Sequence, residues 1–126
     1  MANNKSDHIT SCTILWSDWE LKVVTKVLQT EIQVRHYADN DLLGGRIWPM
    51  SEQQKQDLYK VLYDCLVDLD SDDYSVEQNS TCWQFKICTQ RKCLRTVHGT
   101  KEPPPHGKEI KKLLIQIIGE DNCYFF

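Results

Sequence analysis

A chain of 126 residues with 15 basic and 18 acidic side chains carries a formal charge of −3, which argues against a general nucleic-acid binder. A mean hydropathy of −0.52 and the lack of any long apolar run exclude a membrane-spanning helix, and the length suits one domain with one hydrophobic core. The expectation is a single α+β domain over 10–126, preceded by a disordered tail over 1–9 that leads into no signal-peptide core and keeps the chain cytoplasmic.

In chain order, Thr13-Ile14-Leu15-Trp16 reads as a first strand. The stretch 18–29 is ambiguous. Ser17 and Glu20 have the spacing of a capping box, and Leu21, Val24 and Leu28 share a helical face, but Val23, Val24, Thr25 and Val27 are stiff at χ1 and favour a strand. The balance tips to strand. Glu31–Tyr37 alternates cleanly, with Ile32, Val34 and His36 on one face, and predicts another strand. Residues 38–45 read as a turn region, and Arg46-Ile47-Trp48 as a short strand stopped by Pro49.

Ser51 with Gln54 forms a capping box, and Leu58, Val61, Leu62, Cys65, Leu66 and Leu69 keep helical spacing, so a core-packing helix is predicted over 51–69. In Cys82–Cys88 the apolar Trp83, Phe85 and Ile87 alternate. A turn at 89–92 and a return strand over 93–98 then make a hairpin. A four-residue loop pairs Cys88 with Cys93, Ile87 with Leu94, Phe85 with Thr96 and Trp83 with His98. Three prolines, 103–105, take the chain out of the sheet because proline cannot donate to the ladder. Ile110, Leu113, Leu114, Ile117 and Ile118 then predict an amphipathic helix over 106–118 with Gly119 at its end. The predicted architecture is an antiparallel sheet of four or five strands with both helices packed on one face.

Charge is distributed unevenly. Asp57, Asp64, Asp68, Asp70, Asp72 and Asp73 lie on or after the first helix, and no Lys or Arg occurs over 61–85. Residues 86–112 hold eight basic side chains against two acidic ones. In the predicted register Lys86 faces Arg95 on the sheet side away from the core, a like-charge pair that costs stability unless a carboxylate or an acidic partner lies between them. Two partner-binding surfaces follow: a basic one at Lys86, Arg91, Lys92 and Arg95, and an acidic one at Asp64, Asp68, Asp70, Asp72 and Asp73.

Other chemistry is weakly signalled. Asp68-Leu69-Asp70-Ser71-Asp72 resembles half of a calcium loop, but Asp73 stands where glycine is required and Asn79 where glutamate is required. Six cysteines contain no Cys-x-x-Cys, so no metal site and no cofactor is predicted, and Cys88 and Cys93 are expected as free thiols, with a labile bridge or a zinc half-site as alternatives. The competing functional class is a small enzyme or a thiol- or metal-dependent protein using His98 or His36 with nearby Cys residues. Cys123-Tyr124-Phe125-Phe126 fits a prenylation box poorly, and core packing of these aromatics is the simpler expectation. Asn79-Ser80-Thr81 is a sequon left idle by a cytosolic location.

Gly44-Gly45, the capped helix, Trp-x-Phe-x-Ile, the return strand ending His98-Gly99-Thr100, the prolines and the final helix together resemble small, often uncharacterised bacterial proteins, some of the toxin-immunity type. The resemblance implies binding rather than turnover: a small cytosolic protein-binding module, an inhibitor whose partner is another protein, a toxin domain.

Overall fold

A computed structural model describes residues 9–74, 81–89, 93–100 and 103–125. The elements are β1 (Ser11–Ser17), β2 (Lys22–Val27), β3 (Glu31–Ala38), β4 (Asp41–Pro49), α1 (Glu52–Asp68), β5 (Asp73–Tyr74), β6 (Cys82–Cys88), β7 (Cys93–Gly99) and α2 (Gly107–Ile118), followed by a 3₁₀ turn at Glu120–Asn122. The strands form one sheet in the order β4-β3-β2-β1-β6-β7-β5, antiparallel except for the parallel β5–β7 pair. The α+β class and the two helices match expectation. The sheet is larger than predicted, with seven strands rather than four or five, and it is mixed rather than wholly antiparallel.

Local chemistry explains the differences. The expected turn region 38–45 is reduced to Asp39 and Asn40, both at positive φ (51° and 69°), the conformation of a two-residue hairpin turn that these residue types tolerate. Ala38 ends β3 and residues 41–45 join β4, with a bulge opposite His36/Tyr37. The apparent capping box at Ser17 is instead a turn made by Asp18, whose Oδ1 accepts from the Glu20 and Leu21 amides at 2.8 and 2.7 Å. The stiff residues after it are free to form β2. By contrast, the box at Ser51 is real: Ser51 Oγ accepts from the Gln54 amide at 3.1 Å, and Gln54 returns its Oε1 to the Ser51 amide at 2.9 Å.

The core gathers on one face of the sheet. Cys12 and Ile14, Val23 and Val27, Ile32 and Val34, and Trp83, Phe85 and Ile87 are buried at alternate positions of their strands. Leu58, Tyr59, Leu62 and Cys65 of α1 and Ile110, Leu114 and Ile118 of α2 join the same cluster. Ile9, at the edge of the expected tail, also belongs to it; the rest of that tail, 1–8, lies outside the described residues. After α2 the chain crosses the core face again. Phe125 stacks on Phe85 at 5.5 Å and meets Trp83 edge-on at 6.0 Å, while Tyr124 meets Trp16 and His36 at 5.3 and 5.4 Å. No helix among the described residues is long and apolar enough to cross a membrane.

The β6–β7 register departs from the predicted one. Cys88 lies opposite Cys93, but a bulge at Ile87/Cys88 shifts the rest of the ladder by one residue, giving Ile87–Arg95, Lys86–Thr96, Phe85–Val97, Gln84–His98 and Trp83–Gly99. A one-residue slip reverses the faces of β7. Val97 therefore meets Phe85 in the core, and Gly99 lies under the Trp83 indole, where a Cβ would come within 2.5 Å of the ring.

Candidate functional site

The register change redraws the predicted surfaces. Lys86 stands between Thr13 and Thr96 on the helix-free face, with Lys26 beyond Thr13 as its nearest basic neighbour along that row. Arg95 is on the opposite face, beside Ile87, and reaches the loop after α1. Its Nε donates to Asp72 Oδ1 at 2.9 Å, Nη2 forms an ion pair with the same carboxylate, and Nη2 also approaches the Ser71 carbonyl at 3.5 Å. The expected Lys86–Arg95 confrontation does not occur, and one member of the basic group is bound to one member of the acidic group. Arg91 and Lys92 lie outside the described residues, as does the end of the calcium-like loop beyond Tyr74.

The acidic residues form a continuous rim from the last turns of α1 to β5. Each is tied to a neighbour. Asp64 pairs with Lys60 at 3.3 Å, Asp68 with His106 Nε2 at 2.6 Å, and Asp73 with His98 Nδ1 at 3.6 Å; the Tyr74 hydroxyl donates to Asp70 at 2.9 Å, and Asp72 holds Arg95. The carboxylates nevertheless face solvent, with Asp64, Asp68, Asp72 and Asp73 keeping 39% to 65% of their side-chain surface. The α1 C-terminus has no basic residue in its last turn, so its carbonyl dipoles add to this negative potential. His106, at a left-handed φ of 62° before α2, offsets part of it. As an imidazolium it donates to both Asp68 and Glu109, and these bonds raise its pKa, Asp68 contributing most.

Elsewhere, three of the cysteine thiols are held protonated by burial. Cys12 is fully buried and its thiol is pushed far up; burial raises Cys65 to about 12 and Cys123 to about 11, leaving little thiolate near neutrality. His36 meets the Tyr124 ring and His98 meets Asp73, so neither of these contacts is with a thiol. Among the described residues no group of three His, Cys, Asp or Glu is arranged to hold a metal. Cys88, expected as a free thiol, is disulfide-bonded, and Cys93 is the residue across the ladder from it. The backbone brings these two positions together although nothing in their sequence spacing is a metal or redox motif.

A cleft of about 560 Å³ runs along the start of α1, lined by Ile9, Gln29, Lys55, Tyr59, Tyr63 and Asp64 among others. At its base the Tyr59 hydroxyl lies 3.1 Å from the carbonyls of Thr10 and Leu28 and 3.4 Å from Gln29 Nε2, tying α1 to the ends of β1 and β2. Burial holds the Tyr59 phenol well above its usual range, so it stays protonated and its hydroxyl donates to these carbonyls as a structural tie.

No protein family, no curated protein and no solved structure matches this chain.

Proposed function

We propose that this protein is a small binding module that acts by covering a partner protein, an immunity-type inhibitor of a basic toxin domain, with the rim Asp64, Asp68, Asp70, Asp72 and Asp73 as its contact surface. One observation carries the reading: five carboxylates from α1, the following loop and β5 share one rim, each is oriented by a named neighbour, and Asp68, Asp72 and Asp73 still keep more than half of their side-chain surface in solvent. Oriented charges lose little side-chain freedom on binding, and a negative strip speeds the encounter with a basic surface. The basic alternative is weaker because Arg95 is spent on Asp72 and Lys86 stands between two threonines.

The test is affinity capture from the native source with the full chain as bait, followed by association kinetics with the captured protein. Replacing Asp70 and Asp73 by lysine spares the Arg95–Asp72 pair and is expected to slow association roughly tenfold at low salt, with little effect at high salt. Lys86→Glu is expected to leave it unchanged. If Lys86→Glu slows association and the aspartate variant does not, the contact lies on the helix-free face; if the captured protein turns out to be a small-molecule-processing partner released by substrate, the inhibitor reading fails.

A further inference from the structure

One face of the sheet carries the core and both helices, and alternation along the strands directs every second side chain to the other face. Strand pairing arranges these side chains in rows. Tyr37, Lys22 and Ser17 form one row, Arg35, Val24, Leu15 and Gln84 the next, and Gln33, Lys26, Thr13, Lys86 and Thr96 a third.

The charge of this array is one-sided. Lys22, Lys26, Arg35 and Lys86 stand on it, and none of the four forms an ion pair among the described residues. Lys22 instead lies 5.3 Å over the Tyr37 ring. Of the 18 acidic residues in the chain, Glu31 alone belongs to β1, β2, β3, β6 or β7; it stands at the end of β3 and accepts from Gln33 Nε2 at 2.7 Å. Asp73, at the β5 margin, is engaged with His98. The total charge of −3 therefore belongs to other parts of the molecule. With about 4.8 Å between strands and 3.4 Å per residue, Lys22, Arg35 and Lys26 follow one another at roughly 8 Å between Cα atoms, and Lys86 lies roughly 10 Å beyond Lys26. Trp19, 84% exposed, sits in the turn that joins Ser17 to Lys22 and so continues the Tyr37 row.

We infer that this face binds single-stranded nucleic acid, with the four cations following the phosphates and Tyr37 and Trp19 receiving bases. A flat track of cations with aromatic rings beside it is the combination that unpaired strands use, because every base has a face to stack. The uncharged donors and acceptors of Gln33, Gln84 and Thr13 lie between the cations and suit base edges. A folded acidic partner fits less well. Protein interfaces place aromatic and aliphatic anchors at their centre and are poor in lysine, whereas here Lys26 and Lys86 flank the central strand and both aromatics lie at one end. A duplex keeps its bases stacked inside and leaves Tyr37 and Trp19 unused. This face is separate from the acidic rim, so either reading can fail without the other.

The probe is a fluorescein-labelled oligothymidylate of about a dozen nucleotides, a span suited to one such face. Fluorescence anisotropy with the full chain at low salt is expected to saturate, and log K should fall with log salt at a slope of about −2 to −3, as three to four phosphate contacts on a single strand require. Replacing Lys26 and Lys86 together by glutamine should weaken binding roughly tenfold and make the slope shallower by about 1.4. Tyr37→Ala should weaken it roughly fivefold or more at unchanged slope, because stacking and not ion release is lost. Trp19→Ala, at an exposed turn, should act in the same way and replaces Tyr37→Ala if that variant lowers the urea midpoint. Lysine at Asp70 and Asp73 should not weaken binding. Absence of saturable binding, a slope near zero, or indifference to the Lys26 and Lys86 changes overturns the inference. Equal affinity for a duplex of the same length reduces the face to general phosphate attraction and overturns it as well. Tighter binding of polyglutamate, or of phosphatidylserine vesicles, reassigns the face to an acidic protein or an anionic membrane and overturns it too.

Discussion

Phe125, close to the C-terminal end of the sequence, is packed into the same core as the buried residues of the sheet. It is 1% exposed and lies against both Phe85 and Trp83. Aromatic pairs at these separations add to the gain from burial alone, and the surrounding sheet has little freedom to collapse into a void. Phe125→Ala should therefore destabilise the protein by about 3 to 5 kcal/mol, read as a lower urea midpoint at unchanged slope. A loss under 1 kcal/mol would mean that the terminal segment is an accessory strap and not part of the core. The same reasoning explains Cys12 on β1 and Cys65 on the buried side of α1: they are small apolar fillers of the core, and their raised pKa values are a consequence of that burial.

At the scale of elements, α1 and α2 meet where the C-terminus of one approaches the N-terminus of the other, and His106 bridges them through Asp68 and Glu109. The folded pKa of His106 is raised above its ordinary 6.5, so the protonated form favours the folded state. Its contribution is fully present below pH 6.5 and is lost as the pH rises through the higher folded pKa. The wild type should consequently show a fall in unfolding free energy across that window that His106→Asn lacks, asparagine being tolerant of the left-handed backbone at this position. Urea titrations at pH 5.5 and 8.5 on both proteins give the difference. A steeper pH dependence in the variant would reverse the sign and exclude the bridge as a stabilising contact.

For the molecule as a whole, one core shared by seven strands and two helices implies that its buried thiols become accessible only when that core opens. Alkylation of the native protein followed by mass spectrometry should label the exposed Cys82 first and Cys123 more slowly. Cys12 and Cys65 should be labelled only in denaturant, and Cys88 only after reduction. Labelling of Cys12 as fast as Cys82 under native conditions is incompatible with this core. The charge layout also has whole-molecule consequences, because the acidic rim runs from α1 to the β5 margin whereas Lys22, Lys26, Arg35 and Lys86 stand on β2, β3 and β6 of the helix-free face. A partner at one leaves the other accessible.

The sequence by itself determined what depends on neighbours in the chain. Ser51 and Gln54 start α1, the i, i+3, i+4 spacing of Ile110 to Ile118 makes α2, and the alternation of Trp83, Phe85 and Ile87 makes β6; each signal is local and was legible without the fold. The tight turn at Asp39-Asn40 was also encoded locally, but it was obscured by the glycines that follow and extended the reading of turn too far. Tertiary structure decided the rest. Whether Ser17 to Glu20 caps a helix or turns a hairpin depends on β1 finding β6, a pairing with long sequence separation. The bulge at Ile87/Cys88 arises because Val97 and Gly99, not Thr96 and His98, fit beside Phe85 and Trp83. That single residue of slip carried Arg95 from the helix-free face to Asp72, joining the two charged groups that the sequence had kept apart.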